Sequence, residues 1–65
     1  MSHQKMFDLL TVNQFADELG VTVATVRAWV LRRQIAFLKV GRSIRIERST
    51  LQKLVEDSRV PAKTA

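Results

Sequence analysis

Seven of the chain's eleven lysines and arginines, namely Arg27, Arg32, Arg33, Lys39, Arg42, Arg45 and Arg48, fall between positions 27 and 48, where Glu47 is the one acid. Guanidinium and ammonium groups gathered without counter-charge are anion-binding chemistry, holding phosphate oxygens as point charges or as bidentate forks. The whole chain carries a formal charge of +5 over 65 residues, which favours a polyanionic partner. Other chemistries lack their parts. There is no cysteine, and His3 is the sole histidine, so the sequence supplies neither a reactive thiolate nor a metal-ligand set. No nucleophile stands with a base to activate it, and Gly20 and Gly41 are isolated glycines that fit turns better than a phosphate-cradling loop. The residues therefore predict a binding protein and not an enzyme, with no catalytic site, no cofactor and no metal.

The elements that must position these cations lie in residues 21 to 46, VTVATVRAWVLRRQIAFLKVGRSIRI. Thr22 is placed to cap a helix, with Val21 and Val26 at staple spacing. At about 100° per residue, Val23, Val26, Trp29 and Val30 cluster towards a core, while Ala24, Thr25, Ala28 and Arg32 cluster outward with Arg27 flanking them. The outward set contains no acid. Its small residues let a helix backbone approach a groove of a nucleic-acid duplex closely, and its arginines reach base edges or phosphates from the margins. Thr22, Ala24, Thr25, Arg27, Ala28 and Arg32 are thus the candidate major-groove residues. Leu31 lies off the core stripe and is expected to cover the apolar side of the hairpin next in the chain.

The helix should end near Arg32 or Arg33, before two short strand-like runs, FLKV and SIRI, around Gly41 and Arg42. A three-residue loop, Gly41 to Ser43, would pair Val40 with Ile44 and Leu38 with Ile46 and give one dry face. It would also set Lys39 opposite Arg45, a destabilising like-charge pair that a phosphate backbone would relieve. Lys39, Gly41, Arg42, Ser43 and Arg45 are accordingly the candidate residues of a DNA-contacting wing.

Upstream, Thr11 and Gln14 form a T-x-x-Q capping box, and Leu10 and Phe15 a hydrophobic staple. Phe15, Ala16 and Leu19 mark the apolar stripe of this earlier helix, Asp17 and Glu18 its wet side, and Gly20 suits the left-handed position past its end. So few residues separate it from the next helix that the pair must turn sharply, as in a helix-turn-helix. A third helix opens at Arg48 to Thr50, where Ser49 with Gln52 also fits a capping box. Its core face is Leu51, Leu54 and Val55, and it should fray around Ser58. The resulting layout is a flexible segment 1–8 on which Phe7 alone rests against the domain, one domain at 9–58, and a disordered tail at 59–65. The fold class is mainly α with a small β-hairpin, a winged helix-turn-helix. With Leu51, Leu54 and Val55 committed to the core, no apolar surface is expected to remain for a dimer, so the free protein should be a monomer that assembles cooperatively on DNA. No apolar run reaches the roughly 18 residues of a membrane span, the N-terminus lacks signal-peptide order, and the helix's outer face is polar, so the expected setting is cytoplasmic and not membrane-bound.

The segments LLTVNQFADELGVTVATVRAWV and FLKVGRSIRIERSTLQKLV resemble the excisionase-type, MerR-like winged helix-turn-helix family over roughly residues 9 to 57. The resemblance implies that the helix carrying Ala24, Thr25, Arg27 and Ala28 enters a major groove, and that the hairpin carrying Lys39, Gly41, Arg42 and Ser43 lies along the backbone or the adjacent minor groove. It further implies a recombination directionality factor of a phage or integrated element, nucleoid-associated in a prokaryotic or phage-infected host, that binds double-stranded DNA beside attachment sites, bends it, and recruits or blocks an integrase. A small phage or plasmid transcriptional regulator and a protein-interaction winged helix are the alternatives. Many members have Gly where this chain has Arg33 and Pro where it has Ala36, which predicts a longer or more helical connection to the hairpin. Ala28 stands where a basic residue is common, which shifts base readout towards Arg27 and Thr25.

Overall fold

Thr11 and Gln14 close the capping box that their spacing predicts. In the computed structural model, which describes residues 8–62, the Gln14 N–H donates to Thr11 Oγ1 at 3.0 Å and the Thr11 N–H donates to Gln14 Oε1 at 2.9 Å. Two of the backbone donors at the helix start are satisfied in this way, and helix α1 runs over Val12–Leu19. It ends at Gly20, whose φ of 80° lets the N–H of Val21 turn back to the Ala16 carbonyl at 3.0 Å. Thr22 then caps helix α2, Val23–Leu31, by accepting from the Thr25 N–H at 3.2 Å.

Helix α2 closes with the same backbone frame. The Arg33 N–H donates to the Val30 carbonyl at 3.0 Å and the Gln34 N–H to the Trp29 carbonyl at 2.8 Å, the paired bonds of a Schellman turn. The residue in the left-handed position is Arg33, at φ 56°. A side chain there crowds the following carbonyl and costs about 1–2 kcal/mol. The longer or more helical connection expected from the departures at Arg33 and Ala36 is not found: the helix stops at Leu31, and an arginine adopts the conformation that a glycine would take more easily.

Three strands form one antiparallel sheet in the order β1-β3-β2, with β1 at Leu9–Leu10, β2 at Leu38–Val40 and β3 at Ser43–Glu47. β1 was not foreseen from sequence; it pairs Leu9 with Glu47 and Leu10 with Ile46. The hairpin register also differs from the expected one. Val40 pairs with Ser43, Lys39 with Ile44 and Leu38 with Arg45, so the loop is the two residues Gly41 and Arg42 and not Gly41 to Ser43. Positive φ at Gly41, 62°, but not at Arg42 is the pattern of a II′ turn with glycine first, whose twist matches the strands it joins. Ile46 is buried against Leu10 and the helices instead of against Leu38, which removes the reason for the longer loop. The like-charge pairing of Lys39 with Arg45 therefore does not occur.

Helix α3, Arg48–Asp57, follows β3 without a loop. Ser49 sits inside it, so the Ser49–Gln52 capping box is not formed; Glu47 occupies the cap position without a side-chain bond. The Arg48 N–H is satisfied from afar, by the Asp8 carbonyl at 2.9 Å. The core is Leu10, Phe15, Ala16, Val26, Ile46 and Leu51, ringed by half-buried side chains that include Trp29, Val30 and Leu54. Val55, expected in the core, is 41% exposed, as is Leu38, while Val40 is 58% and Leu31 82% exposed. Apolar surface does remain: the shifted register turns Leu38 and Val40 to the Arg45 face of the sheet, and Leu31 stays open to solvent instead of covering the hairpin. Residues 59–62 form neither helix nor strand. The expectations for residues 1–7, including Phe7, and for 63–65 lie outside the described residues.

Candidate nucleic-acid interface

Between α2 and the hairpin of β2 and β3 runs an open groove of about 860 Å³. Five cations line it, Arg27, Arg33, Lys39, Arg42 and Arg45, and no acid does. Its apolar lining comes from Val12, Val30, Leu31, Phe37 and Ile44. The Arg45 guanidinium folds back so that Nη1 donates to the Ile44 carbonyl at 2.9 Å, with its remaining N–H groups left for other acceptors.

The residues singled out by sequence divide accordingly. Arg27, Lys39, Arg42 and Arg45 converge on the groove. Ala24 and Thr22 are exposed on the first turn of α2, Thr25 and Ala28 are half-buried, and none of these lines the groove. The Thr25 hydroxyl lies 2.8 Å from the Thr22 hydroxyl, an arrangement in which either can donate, so the two threonines orient one another at the start of the helix. Arg32 is exposed at the end of α2, outside the groove lining, as are Gly41, which supplies the turn, and Ser43. Arg33, counted in the basic cluster but not among the candidate site residues, does line the groove. Its signal was countable from the end of α2: the residue after the helix cap takes the left-handed turn that carries the chain towards the hairpin.

Arg48 belongs to the same cluster in sequence and to a different place in space. Its Nε donates to Asp8 Oδ2 at 2.8 Å, and its Nη1 and Nη2 grip both oxygens of Glu18 at 2.6 and 2.9 Å. The bond from Arg48 holds the Glu18 carboxyl below its ordinary range, and the Glu18 and Asp8 carboxylates in turn hold the arginine's proton more tightly. Arg48 is thus a clamp joining β1, α1 and α3, and it is absent from the groove.

Among the described residues no group of His, Cys, Asp and Glu is placed to hold a metal ion, and no helix is long and apolar enough to cross a membrane. A family model described as a helix-turn-helix domain matches residues 9–59. No curated protein and no solved structure matches the chain.

Proposed function

The chain belongs to this helix-turn-helix domain family, a double-stranded DNA-binding unit of winged form, and from that premise we propose that it is an excisionase-type recombination directionality factor with a MerR-like reader. The observation that carries the reading is the acid-free groove between α2 and the hairpin. A major groove about 12 Å wide admits an α-helix, and a helix inserted there brings a phosphate strand alongside the cations on its flank. In this reading α2 enters the major groove with Thr22, Ala24, Thr25, Arg27, Ala28 and Arg32 towards the bases, Arg27 and Thr25 reading them. The wing, Lys39, Gly41, Arg42, Ser43 and Arg45, runs along the backbone. The reading unit is residues 9–58.

One small reader neutralises few phosphates and releases few counterions, so a single copy binds weakly at physiological salt. The free protein is a monomer, since its exposed large apolar side chains are spread along the fold, Leu31 on α2, Leu38 and Val40 on β2, Val55 on α3 and Val60 beyond it, and dispersed apolar residues do not build a stable interface. Several copies then occupy neighbouring sites and bend the duplex at a deformation cost of a few kcal/mol, presenting it to an integrase. The test is to select sites from a randomised duplex library, measure bending on permuted fragments, and assay integrase-mediated excision of a substrate carrying the selected sites with and without this protein. Site-specific bending with increased excision is the expected result. Site-specific binding that alters only a neighbouring promoter would replace the proposal with a small phage or plasmid regulator. Tight protein binding unaffected by competitor DNA would replace it with an interaction module.

A further inference from the structure

We propose that Arg33 is a phosphate-binding residue of the groove, and that its left-handed backbone is what aims it there. This rests on the DNA-binding reading and adds a residue which that reading did not contain. Three observations meet at this position. Arg33 holds φ 56° within the Schellman turn that closes α2, a conformation which disfavours any residue with a Cβ. Its side chain lines the same groove as Arg27, Lys39 and Arg42, on the helix side, where no other residue past the end of α2 and before Phe37 does so. It is exposed, and among the described residues no carboxylate pairs with it. Strain kept in a folded chain is a pointer to function when the strained group sits at a site. A helix-end cation can also serve the dipole, but Arg32 already stands at the cap of α2, so that role does not require an arginine in the strained position.

The ligand is a phosphodiester oxygen of the strand held between helix and wing, and the contact is independent of sequence. A short random-sequence duplex is therefore the right probe. Arg33→Gly relieves the backbone and deletes the cation; Arg33→Lys keeps the cation and the backbone demand. For Arg33→Gly the melting temperature should rise by about 2–8 °C, the relief of strain being partly offset by the greater freedom of glycine in the unfolded chain, while affinity for the duplex falls roughly three- to ten-fold and the slope of log K against log salt becomes shallower by about 0.9. Arg33→Lys should restore the wild-type slope and melt near the wild type. An Arg33→Gly variant that melts higher yet keeps the wild-type affinity and slope would overturn the inference and leave the DNA reading intact. A wild-type chain that fails to bind any duplex would overturn both.

Discussion

Arg48 and the cations of the groove lie in the same third of the chain, yet they have opposite fates. Arg48 is bound by two carboxylates, Asp8 and Glu18, that come from β1's approach and from α1. Arg27, Arg33, Lys39, Arg42 and Arg45 face a groove with no carboxylate at all. Net charge cannot distinguish these sets; the placement of the acids does. Asp8 and Glu18 are committed to Arg48, where they join elements, and the groove is left with uncompensated positive potential. A surface stripped of acids next to a helix and a hairpin tip attracts a polyanion, whereas a paired arginine with its fork already occupied has little left to offer one.

Both regions hang on one core, so its loss should abolish the difference between them. Phe15 is fully buried. Phe15→Ala is expected to cost about 3–5 kcal/mol, against a total stability of about 3–10 kcal/mol for a chain of 65 residues. Chemical denaturation should show a variant left with about half or less of the wild-type stability, in which clamp and groove are lost together at a lower denaturant concentration. A cooperative transition within about 1 kcal/mol of wild type would mean that the clamp, and not the core, carries the fold. Within the groove, Arg27→Ala should cost about 1–3 kcal/mol on a selected site and narrow the gap to random DNA, while Arg42→Ala should weaken both alike. Fluorescence titrations in which Arg27→Ala leaves that gap unchanged would remove Arg27 from base reading.

The hairpin tip offers a smaller perturbation of the groove alone. A Cβ at Gly41 would meet nothing within 4 Å, so Gly41→Val is opposed only by the positive φ of 62°. The expected cost is about 1–2 kcal/mol, with amide shifts confined to β2 and β3 and DNA affinity reduced because Lys39 and Arg42 lose their relative placement. Native hairpin shifts together with full affinity would show that the II′ turn is not what sets the wing.

These sites also mark where the sequence was readable. Thr11 with Gln14, Gly20 and Thr22 act within one helical turn of themselves, so the helix-turn-helix could be laid out from local spacing alone. The hairpin's register depends on Ile46 meeting Leu10 from the far end of the chain, a strand pairing that no local pattern announces, so a dry hairpin face built from Leu38, Val40, Ile44 and Ile46 alone predicts a loop one residue too long. Val55 and Leu31 were misplaced for the same reason: their faces are set by which neighbours arrive. Among the candidate contacts, the convergence of Arg27, Lys39, Arg42 and Arg45 follows from charge clustering, while the removal of Arg48 rests on a tertiary fact, a pair of distant carboxylates, and the arrival of Arg33 on a local one, the left-handed turn that closes α2.

The smallest expected effect tests the clamp side of the comparison through pH. Glu18 is held below its ordinary value of 4.5, first by the hydrogen bonds from Arg48. A carboxyl whose pKa is depressed by folding binds protons more readily when unfolded, so it stabilises the fold fully above about pH 4.5 and that contribution fades as pH falls through the folded value. Arg48 is shifted upward and stays charged throughout this range, so the window belongs to Glu18. Melting temperatures of wild type and Glu18→Gln should differ at neutral pH and converge on acidification below about pH 4.5, and Arg48→Ala, which removes the Asp8 pair as well, should lose at least as much at neutral pH. The groove supplies the contrast: at neutral pH neither variant should change the salt slope of DNA binding, because neither removes a phosphate contact. A difference between wild type and Glu18→Gln that stays constant across the acid range would show that the Glu18 charge adds no stability through Arg48. A shallower salt slope in Arg48→Ala would place that arginine with the groove cations and erase the division between the two sets.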